Sequence, residues 1–542
     1  MADLDTVNLC TEAVRAHFGP LVSKVTETLL RRGRLSLPHL IRYSTLKPRT
    51  VRASVLVLIQ QNILWHATED DAEVFEVNID ECLVRLRFGR YIWQTEELFG
   101  PEAANIVTAV LENGKLKPPH IMRSLTVDHK SKAVYAQALH KLVSESYLKP
   151  STVLSHQSPR DKIYQYEAEE KAKMAGIPSA KDLREVREAA EARFRREEEE
   201  VESIGMKRKA KEHRGKVSKR SKTAVKEEEE VVDDEVYFRV NYDRFNVHIR
   251  NQIVVTAARE RFNDGASAVI QATLAATLSK QKSMKDPRSD PASLADIASH
   301  IPDDSVLTSG LVFASTKKPP KALAAIKEYV GLLSCVDNAT TSGAAARFVS
   351  TTSSGSRVQV EFERLGARLR QRVLEAVARE RHGDDGVRVV RLLLSTGKMD
   401  ERQISKVAMM PAKDVRPLLN AMAAASLVSL QEVPRTADRN PTRTFYLWFV
   451  DLPKAYRVIL TNLHKTLFNI HLRRRTESSA PLVQAVLSKL ERTDVSEDNL
   501  TRAEREVLAS WRARRDRLTV LEMRVEEAVF ILSDMAADDE VD

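Results

Sequence analysis

The stretch SLPHLIRYSTLKPRTVRASVLVLIQQNIL, at residues 36–64, decides the fold. Its spacing predicts a short helix, a proline-marked turn and a longer amphipathic helix with Val51, Val55 and Leu58 on one face. Apolar and polar residues then alternate in VFEVNI, at residues 74–79, as they do in a strand with one buried face. Three helices closed by a β-hairpin form a winged helix, and this is the fold that the stretch predicts.

The same apolar pattern returns in the last third of the chain at a fixed offset. Val51 corresponds to Val415, and 415 − 51 = 364. Five further apolar pairs keep this offset: Leu40 and Ile404, Val55 and Leu419, Leu58 and Met422, Ile63 and Leu427, Leu64 and Val428. Two strands are predicted to follow, VSLQEV and TFYLWFV, joined by a turn that contains Asn440 and Pro441. Six positions in one register indicate an internal repeat.

Two further copies are predicted between these. In one of them Leu148 takes the place of Leu64, and 148 − 64 = 84 is the length of a small domain. The other combines a long helix near residues 253–280 with SLADIASHI, PKALAAIKEYVGLLSCV and VQVEF, in looser spacing. Beyond Asp451 long helical patterns replace the wings, so a helical hairpin or short coiled coil is expected there.

We therefore expect a mainly α fold with small β-wings, built from four tandem winged helices and a C-terminal helical region. Between the second and third copies lies a charged segment with hardly any large apolar residue, which cannot bury a core of its own. The first part of this segment has Arg and Glu at helical spacing and could form an exposed helix, and the rest is expected to be a charged linker. The expected boundaries are 1–81, 82–168, 236–363 and 364–451 for the winged helices, 169–235 for a charged, largely disordered linker, and 452–542 for the C-terminal coiled coil.

Composition places the chain among multidomain, intracellular proteins. It has 542 residues, a formal net charge of +9 and only three cysteines, which form no CxxC pair. Neither a disulfide framework nor a cysteine zinc site is expected. The longest notable apolar run, residues 55–59, is far too short to span a bilayer, so we expect a soluble protein. The mild basic bias suits a protein near nucleic acid, but it also fits many ordinary soluble proteins.

The sequence lacks the motifs of the common enzyme classes. It contains no Walker A loop, GxGxxG turn, GxSxG elbow or HExxH helix. His464 and His471 lie seven residues apart on one predicted helix, but no cysteine or carboxylate accompanies them at ligand spacing. We therefore expect no catalytic residue, no metal site and no cofactor, and binding remains as the function.

Nucleic acid is one ligand that winged helices bind, through the third helix and the wing. Basic residues lie at or near the starts of the four predicted third helices, where ordinary solvated helix faces are the competing interpretation. None of these helices carries the dense set of Arg, Asn and Gln that a sequence-specific factor uses, so a sequence-indifferent guide fits better. The candidates for nucleic-acid contact are Arg49, Arg52, Lys130, Lys132, Lys317, Lys318, Lys321, Lys413 and Arg416.

Two other segments suggest cellular roles. The run KRKAKEHRGKVSKRSK predicts nuclear import, with a nucleic-acid-binding tail as the alternative, and its key residues are Lys207, Arg208, Lys209, Lys219 and Arg220. In the last long helix one apolar face is predicted to dock on a partner. That face consists of Leu518, Leu521, Val525, Val529 and Leu532.

Several long segments resemble one family. MMPAKDVRPLL at residues 409–419 and VSLQEVPRTADRNPTRTFYLWFV at 428–450 resemble the RNA polymerase III-specific subunit related to the alpha chain of the general factor TFIIE. VYFRVNYDRFNVHIRNQIVV at 236–255 resembles the start of that family's middle region, and VEEAVFILSDM its final helix. The resemblance spans nearly the whole chain and is weakest in the charged segment.

This resemblance implies four extended winged helices and a C-terminal coiled coil in a non-catalytic subunit of nuclear RNA polymerase III. The subunit would join two others in a detachable trimer on the polymerase clamp. It would contact the TFIIIB initiation machinery and guide melted promoter DNA during transcription of small RNAs such as tRNA and 5S rRNA. Two alternatives stay open from the residues alone: a free-standing winged-helix DNA-binding regulator, or a winged-helix scaffold of another complex.

Overall fold

The computed structural model describes residues 3–69, 72–125, 129–173, 179–210, 228–301, 307, 310, 322–334, 347–352, 357–434, 444–491 and 500–535. These residues form two compact units, Met1–Phe245 and Asn246–Asp542. Helices dominate both units, and the strands are short and belong to small sheets of two or three members. The mainly α fold with small β-wings is thus confirmed.

The first winged helix forms as its apolar spacing predicts. Val51, Val55 and Leu58 lie in one buried core, with Leu40 from the preceding helix. The three strands are ordered β1-β3-β2 in chain numbering, and Leu35 lies opposite Phe75. The elements are α1 (Leu4–Arg32), β1 (Leu35–Ser36), α2 (Leu37–Ser44), α3 (Pro48–Gln60), β2 (Leu64–Glu69), β3 (Ala72–Val77) and α4 (Ile79–Val84).

The second winged helix contains a large insertion. In the chain its core helices are followed by a strand, a helical pair, a hairpin and a last strand. The elements are α5 (Phe88–Phe99), α6 (Pro101–Asn113), α7 (Pro118–Leu125), α8 (His129–Ser144), β4 (Leu148–Pro150), α9 (Pro159–Ala172), α10 (Ala180–Ser203), β5 (Met206–Ala210), β6 (Glu228–Val232) and β7 (Phe238–Val240).

Strand β7 closes this second winged helix although it follows the charged segment. Leu148 pairs with Val240 across the antiparallel β4 and β7, and Leu116 forms a bridge with Phe238 on the other edge of β7. Phe238 is fully buried. The order of these three strands repeats that of the first winged helix. The expected boundaries at residues 168 and 236 therefore need correction, because the strand that completes the core lies beyond both.

Residues 151–237 are thus an insertion in the wing of the second winged helix. Helices α9 and α10 pack against each other, with Val186 and Ala190 buried. The Arg193 guanidinium lies 4.2 Å from the centroid of the Tyr166 ring in the same pair of helices. The first part of the charged segment is therefore helical, as the spacing of its Arg and Glu residues allows, and it is packed rather than fully exposed because its few apolar residues contact a partner helix.

The second unit begins within α11 (Tyr242–Arg261) and contains the third winged helix. Ile297 and Leu333, from the second and third of its core helices, are buried. Its strands are ordered β8-β10-β9, which again places the last strand in the middle. The elements are α12 (Asp264–Thr277), β8 (Ala292–Ser293), α13 (Leu294–Ser299), α14 (Ala322–Ser334), β9 (Val349–Thr351) and β10 (Arg357–Val360).

The fourth winged helix and the C-terminal helices complete the second unit. Val415, Leu419 and Met422 are buried in one core, which also contains Leu532 from the last helix. Met399 bridges Trp448 on the edge of the final hairpin. The elements are α15 (Phe362–Thr396), α16 (Glu401–Ala408), α17 (Ala412–Ala424), β11 (Ser429–Pro434), β12 (Thr444–Phe449), α18 (Leu452–Ser478), α19 (Pro481–Leu490) and α20 (Arg502–Ser533).

The internal repeat extends to the backbone conformation. Thr45 and Asn62, after α2 and α3, have φ angles of 57° and 58°. Met409 and Ser426 have φ angles of 54° and 57°, and both 409 − 45 and 426 − 62 equal 364. Ser146 has a φ angle of 62°, and 146 − 62 = 84. Residues other than glycine seldom occupy this left-handed region, so their recurrence at both offsets shows that the copies share one turn geometry.

The helix that precedes the core is kinked in the same place in two copies. Gly19 interrupts α1 with a φ angle of 83°, and Gly383 interrupts α15 with a φ angle of 69°. Since 383 − 19 = 364, the kinks occupy equivalent positions. Glycine takes this conformation at little steric cost, and each kink lets an added helix extend the winged helix. The chain therefore contains extended winged helices, as the family resemblance implies.

We predict that Phe238→Ala destabilises the second winged helix even though residue 238 follows the charged segment. Truncation of a fully buried phenylalanine costs about 3–5 kcal/mol. Hydrogen exchange measured by mass spectrometry should therefore accelerate in peptides that cover α8 and β4. The adjacent Tyr237, which is partly exposed, provides the control, and Tyr237→Ala should change exchange much less. Equal exchange in both variants would contradict the assignment of β7 to this core.

Candidate nucleic-acid and docking surfaces

Helix α3 of the first winged helix presents a basic face. Arg49 and Arg52 are exposed near its start, while Val51 and Val55 are buried on the opposite side. Within the part of the chain that the structure describes, neither arginine has an ion-pair partner. Both side chains are therefore placed as the sequence predicts, on the solvent face of the helix that winged helices commonly apply to DNA.

No acidic residue lies near these arginines in the sequence. Between Glu27 and Glu69 the sequence has no aspartate or glutamate. The guanidinium of Arg32 lies 4.1 Å from the centroid of the Tyr43 ring, and His39 stacks on that same ring. The sequence motifs did not reveal this group of basic and aromatic residues, although the absence of acidic residues between Glu27 and Glu69 is apparent in the sequence. The α2–α3 surface, defined as Arg32, His39, Arg42, Tyr43, Lys47, Arg49 and Arg52, combines cations with exposed rings and can bind a phosphate backbone.

The wing of the same domain has the opposite character. Its hairpin carries a run of acidic residues, and Glu76 on β3 accepts a hydrogen bond of 2.7 Å from Nε of Arg34. Nη2 of Arg34 also donates to both carboxylate oxygens of Asp161 on α9, at 2.8 and 2.7 Å. This network joins the first wing to the insertion of the second winged helix. A polyanion can therefore approach the first domain through its helices and not along its wing.

The corresponding residues of the fourth winged helix are partly neutralised. Lys413 and Arg416 are exposed at the start of α17, as predicted. However, Nε of Arg416 donates to both carboxylate oxygens of Glu401 at 3.0 and 3.2 Å, and Asp414 adjoins Lys413 in the sequence. The two candidates are thus brought together on one face, but that face carries less net positive charge than the α2–α3 surface.

The remaining nucleic-acid candidates are less informative. Lys132 is exposed in the first turn of α8. Lys130 belongs to the same helix, but its side chain lies outside the described part of the structure. Lys317, Lys318 and Lys321 also lie outside the described residues.

The basic run predicted to direct nuclear import is divided by the fold. Lys207, Arg208 and Lys209 belong to β5, which pairs with the acidic β6, and Arg208 lies opposite Glu230. Nζ of Lys207 forms an ion pair of 2.8 Å with Asp233, which raises the pKa of the lysine. Lys219 and Arg220 lie outside the described residues. The first three basic residues are thus part of a hairpin.

The predicted docking face of α20 is only partly exposed. Val529 and Leu532 are buried within the unit, so these two cannot contact a partner at the same time. Leu518 and Val525 are half-buried, and Leu521 is exposed. The predicted stripe is therefore not the free face of this helix, and Leu521 is the one of its five residues that is exposed.

Two buried carboxylates explain the difference. Glu522 and Glu526 point inward in place of part of the predicted apolar stripe. Glu522 is held by Nε2 of His471 at 3.0 Å and by Arg474, both on α18. Although burial by itself raises its pKa, the hydrogen bonds and charges of His471 and Arg474 lower it overall. Because Glu522 and Glu526 face inward, Val520, Leu521 and Met523 lie on the exposed side of the helix. We name these three residues the α20 patch.

Among the described residues no group of three or more His, Cys, Asp and Glu side chains is arranged to hold a metal ion. Within that same part of the chain no helix is both long and apolar enough to cross a membrane. The fold and these surfaces define a tandem winged-helix protein with one basic helical face and a long C-terminal helical hairpin.

Comparison with known proteins identifies the family. Three family models match separate parts of the chain: an RNA polymerase III subunit RPC82 helix-turn-helix domain at residues 8–68, RNA polymerase III subunit RPC82 at 137–329, and the POLR3C C-terminal winged-helix domain at 374–450. They cover parts of the first, second, third and fourth winged helices. The chain belongs to this family of RNA polymerase III subunits.

Full-length relatives agree. DNA-directed RNA polymerase III subunit RPC3 of Rattus norvegicus is 26% identical over 556 residues, which cover 97% of each chain. The protein of the same name from Homo sapiens is 25% identical over 558 residues, again 97% of each. The Aspergillus clavatus subunit rpc3 is 25% identical over 643 residues, covering 98% of this chain and all of the relative. The similarity therefore extends over the winged helices and the C-terminal helices alike.

Proposed function

We propose that this chain is a non-catalytic subunit of DNA-directed RNA polymerase III that guides promoter DNA by contacts to its backbone. The family supports the complex, and one observation supports the contact: the basic α2–α3 surface lies within a stretch of more than forty consecutive residues that contains no acidic residue. Its residues can neutralise phosphates, but they lack the paired Asn, Gln and Arg set that reads bases. Sequence-indifferent guidance of duplex or melted DNA is the function that fits these features.

The partners of this proposal are those that the family resemblance implies. We propose that the chain joins two other polymerase III-specific subunits in a trimer, that the trimer docks on the clamp of the core enzyme, and that it contacts a TFIIIB-type initiation factor. Transcription of tRNA and 5S rRNA genes would follow from these contacts. The chain would work in the nucleus, where promoter opening takes place, and the basic run at residues 207–222 supports import.

The α20 patch is proposed as one docking contact. Val520, Leu521 and Met523 are each about half exposed on a helix whose other face is fixed by Glu522. Large apolar side chains grouped on one helix face commonly mark a protein interface. Because Val529 and Leu532 stabilise the chain's own core, docking must use the exposed patch and not the end of the helix.

Charge reversal should test the nucleic-acid contact. We expect Arg49→Glu with Arg52→Glu to weaken binding of the purified chain to a DNA duplex about tenfold or more. The slope of log affinity against log salt should fall by about one per lost phosphate contact. Fluorescence anisotropy at several salt concentrations measures both quantities.

A matched control has the same spacing on another exposed helix. Lys181 and Arg184 on α10 are exposed and three residues apart, so Lys181→Glu with Arg184→Glu makes the same change in net charge. An equal loss of affinity in both double variants would show that only net charge matters, and the α2–α3 surface would then have no special role.

The docking contact can be tested in cells of the source organism. We expect Leu521→Glu with Met523→Glu to release the tagged chain from the polymerase core in affinity purification, because a buried carboxylate would lack a partner. Val153, exposed on the insertion, supplies the control Val153→Glu. If the double variant is folded and still recovers the core enzyme at wild-type yield, docking does not involve the α20 patch.

A further inference from the structure

The wing of the fourth winged helix exposes apolar and aromatic side chains on both of its faces. In the β11–β12 ladder Glu432 pairs with Tyr446, and Val433 pairs with Phe445. Cross-strand partners share a face and neighbours along a strand alternate, so Tyr446 lies on one face and Phe445 on the other. Phe445 is 44% exposed and Tyr446 is 39% exposed.

The inner end of the ribbon satisfies the fold without these residues. Trp448 is buried and bridges Met399, and that contact joins the ribbon to the fourth core. Two further ribbon residues, Leu430 opposite Trp448 and Val433 opposite Phe445, are about 40% exposed, like the two aromatic rings. A cluster of four large exposed side chains on one short ribbon is costly to leave in water, so it points to a ligand.

The first winged helix shows that the fold does not require this exposure. On its wing strand β3, Val74, Phe75 and Val77 are all buried. That wing also carries Glu69, Glu73 and Glu76, and it is joined to the insertion through Arg34. The two wings thus differ in charge and in the burial of their apolar side chains, although the cores repeat one pattern.

The charge around the fourth wing selects a nucleic acid as its ligand. Nζ of Lys398 lies 5.2 Å from the centroid of the Phe449 ring, and Nζ of Lys454 contacts Oγ of Ser429 at 3.5 Å, so cations lie at the base of both strands. The sequence that joins β11 to β12, at 435–443, contains three arginines and one aspartate. Within strands β11 and β12 the one acidic residue is Glu432, which lies on the Tyr446 face.

The chemistry of the exposed rings favours unpaired bases over a duplex. In a duplex the flat faces of the bases are stacked on one another, and only their edges are accessible in the grooves. In a single strand those faces are available to stack on aromatic side chains, independently of sequence. A ribbon with an aromatic ring on each face and cations at its base fits this second ligand.

We propose that the β11–β12 wing, through Tyr446 and the exposed side of Phe445, is a stacking platform for bases of an unpaired DNA strand. The proposal rests on the proposed role in guiding promoter DNA and deepens it. Backbone contacts at the α2–α3 surface would hold DNA of either form, whereas the fourth wing would discriminate in favour of the melted strand.

The test uses the full chain and fluorescein-labelled oligothymidine of about 20 nucleotides, with a duplex of the same length as the second probe. We expect Tyr446→Ala with Phe445→Ala to weaken oligothymidine binding by at least about fivefold, the low end for loss of one aromatic-base stack. Duplex binding should change less than about twofold. Circular dichroism establishes that the variants fold, since both side chains are exposed.

Two further variants separate stacking from a general apolar contact. Tyr446→Trp keeps an aromatic ring and should retain the affinity for oligothymidine, whereas Tyr446→Leu keeps an apolar side chain and should lose it. Trp93 on α5, which is 51% exposed, supplies the control Trp93→Ala, and this variant should bind as the wild type does. Wild-type affinity in Tyr446→Leu would overturn the stacking proposal.

The outcomes distinguish this proposal from the function on which it rests. If the wing variants bind oligothymidine normally while Arg49→Glu with Arg52→Glu binds neither probe well, DNA guidance stands and the stacking platform is overturned. If the wild-type chain binds neither probe, the proposed DNA guidance itself fails. If the wing variants keep DNA affinity but lose the polymerase core in affinity purification, the ribbon is a protein-docking surface and the stacking proposal is overturned.

Discussion

Each winged helix depends on one antiparallel pairing: the strand that returns from the wing must pair with a residue just before the second core helix. Without that pairing the polar backbone of the wing would lie unsatisfied over an apolar core, at a cost of about 1–3 kcal/mol for each buried group. The pairing leaves the wing loop itself unconstrained, so the loop can vary in length from copy to copy. The four pairs are Leu35 with Phe75, Leu116 with Phe238, Ala292 with Val358, and Met399 with Trp448.

This constraint explains which parts of the fold could be predicted from the sequence. The first and fourth copies were predictable because apolar side chains at a 3.6-residue period must share a helix face, and the offset of 364 repeats them. The closing strand of the second copy was not predictable, because β7 has only three residues and residues 151–237 separate it from β4. The face of α20 was predicted incorrectly because Glu522 is buried with His471 and Arg474, and an apolar pattern cannot reveal such partners.

Among the candidate contacts, the sequence predicted where Arg49, Arg52, Lys413 and Arg416 lie, since each is close to the start of a well-formed helix. The sequence could not show which of these four residues is partly neutralised by an acidic neighbour in the fold. Arg416 contacts Glu401, fifteen residues away and on a neighbouring helix, and only the folded chain brings these two together. An exposed ion pair of this kind stabilises the fold by about 1 kcal/mol or less, but it lowers the local positive potential that a phosphate would meet.

A close contact between the first and second winged helices bears on the proposed use of the α2–α3 surface. The side-chain Nε2 of Gln60, the last residue of α3, donates to the backbone carbonyls of Asn113 and Lys115 at 3.0 and 2.8 Å. A side chain at Gly114 would come within 2.4 Å of the Gln60 carbonyl oxygen, so the backbones approach there as closely as glycine allows. The helix that carries Arg49 and Arg52 is therefore fixed against the second winged helix. A phosphate bound at the start of α3, as we propose, would be held by two winged helices and not by one. The proposed guidance depends on such a joint, because the protein must orient the DNA when no base is recognised.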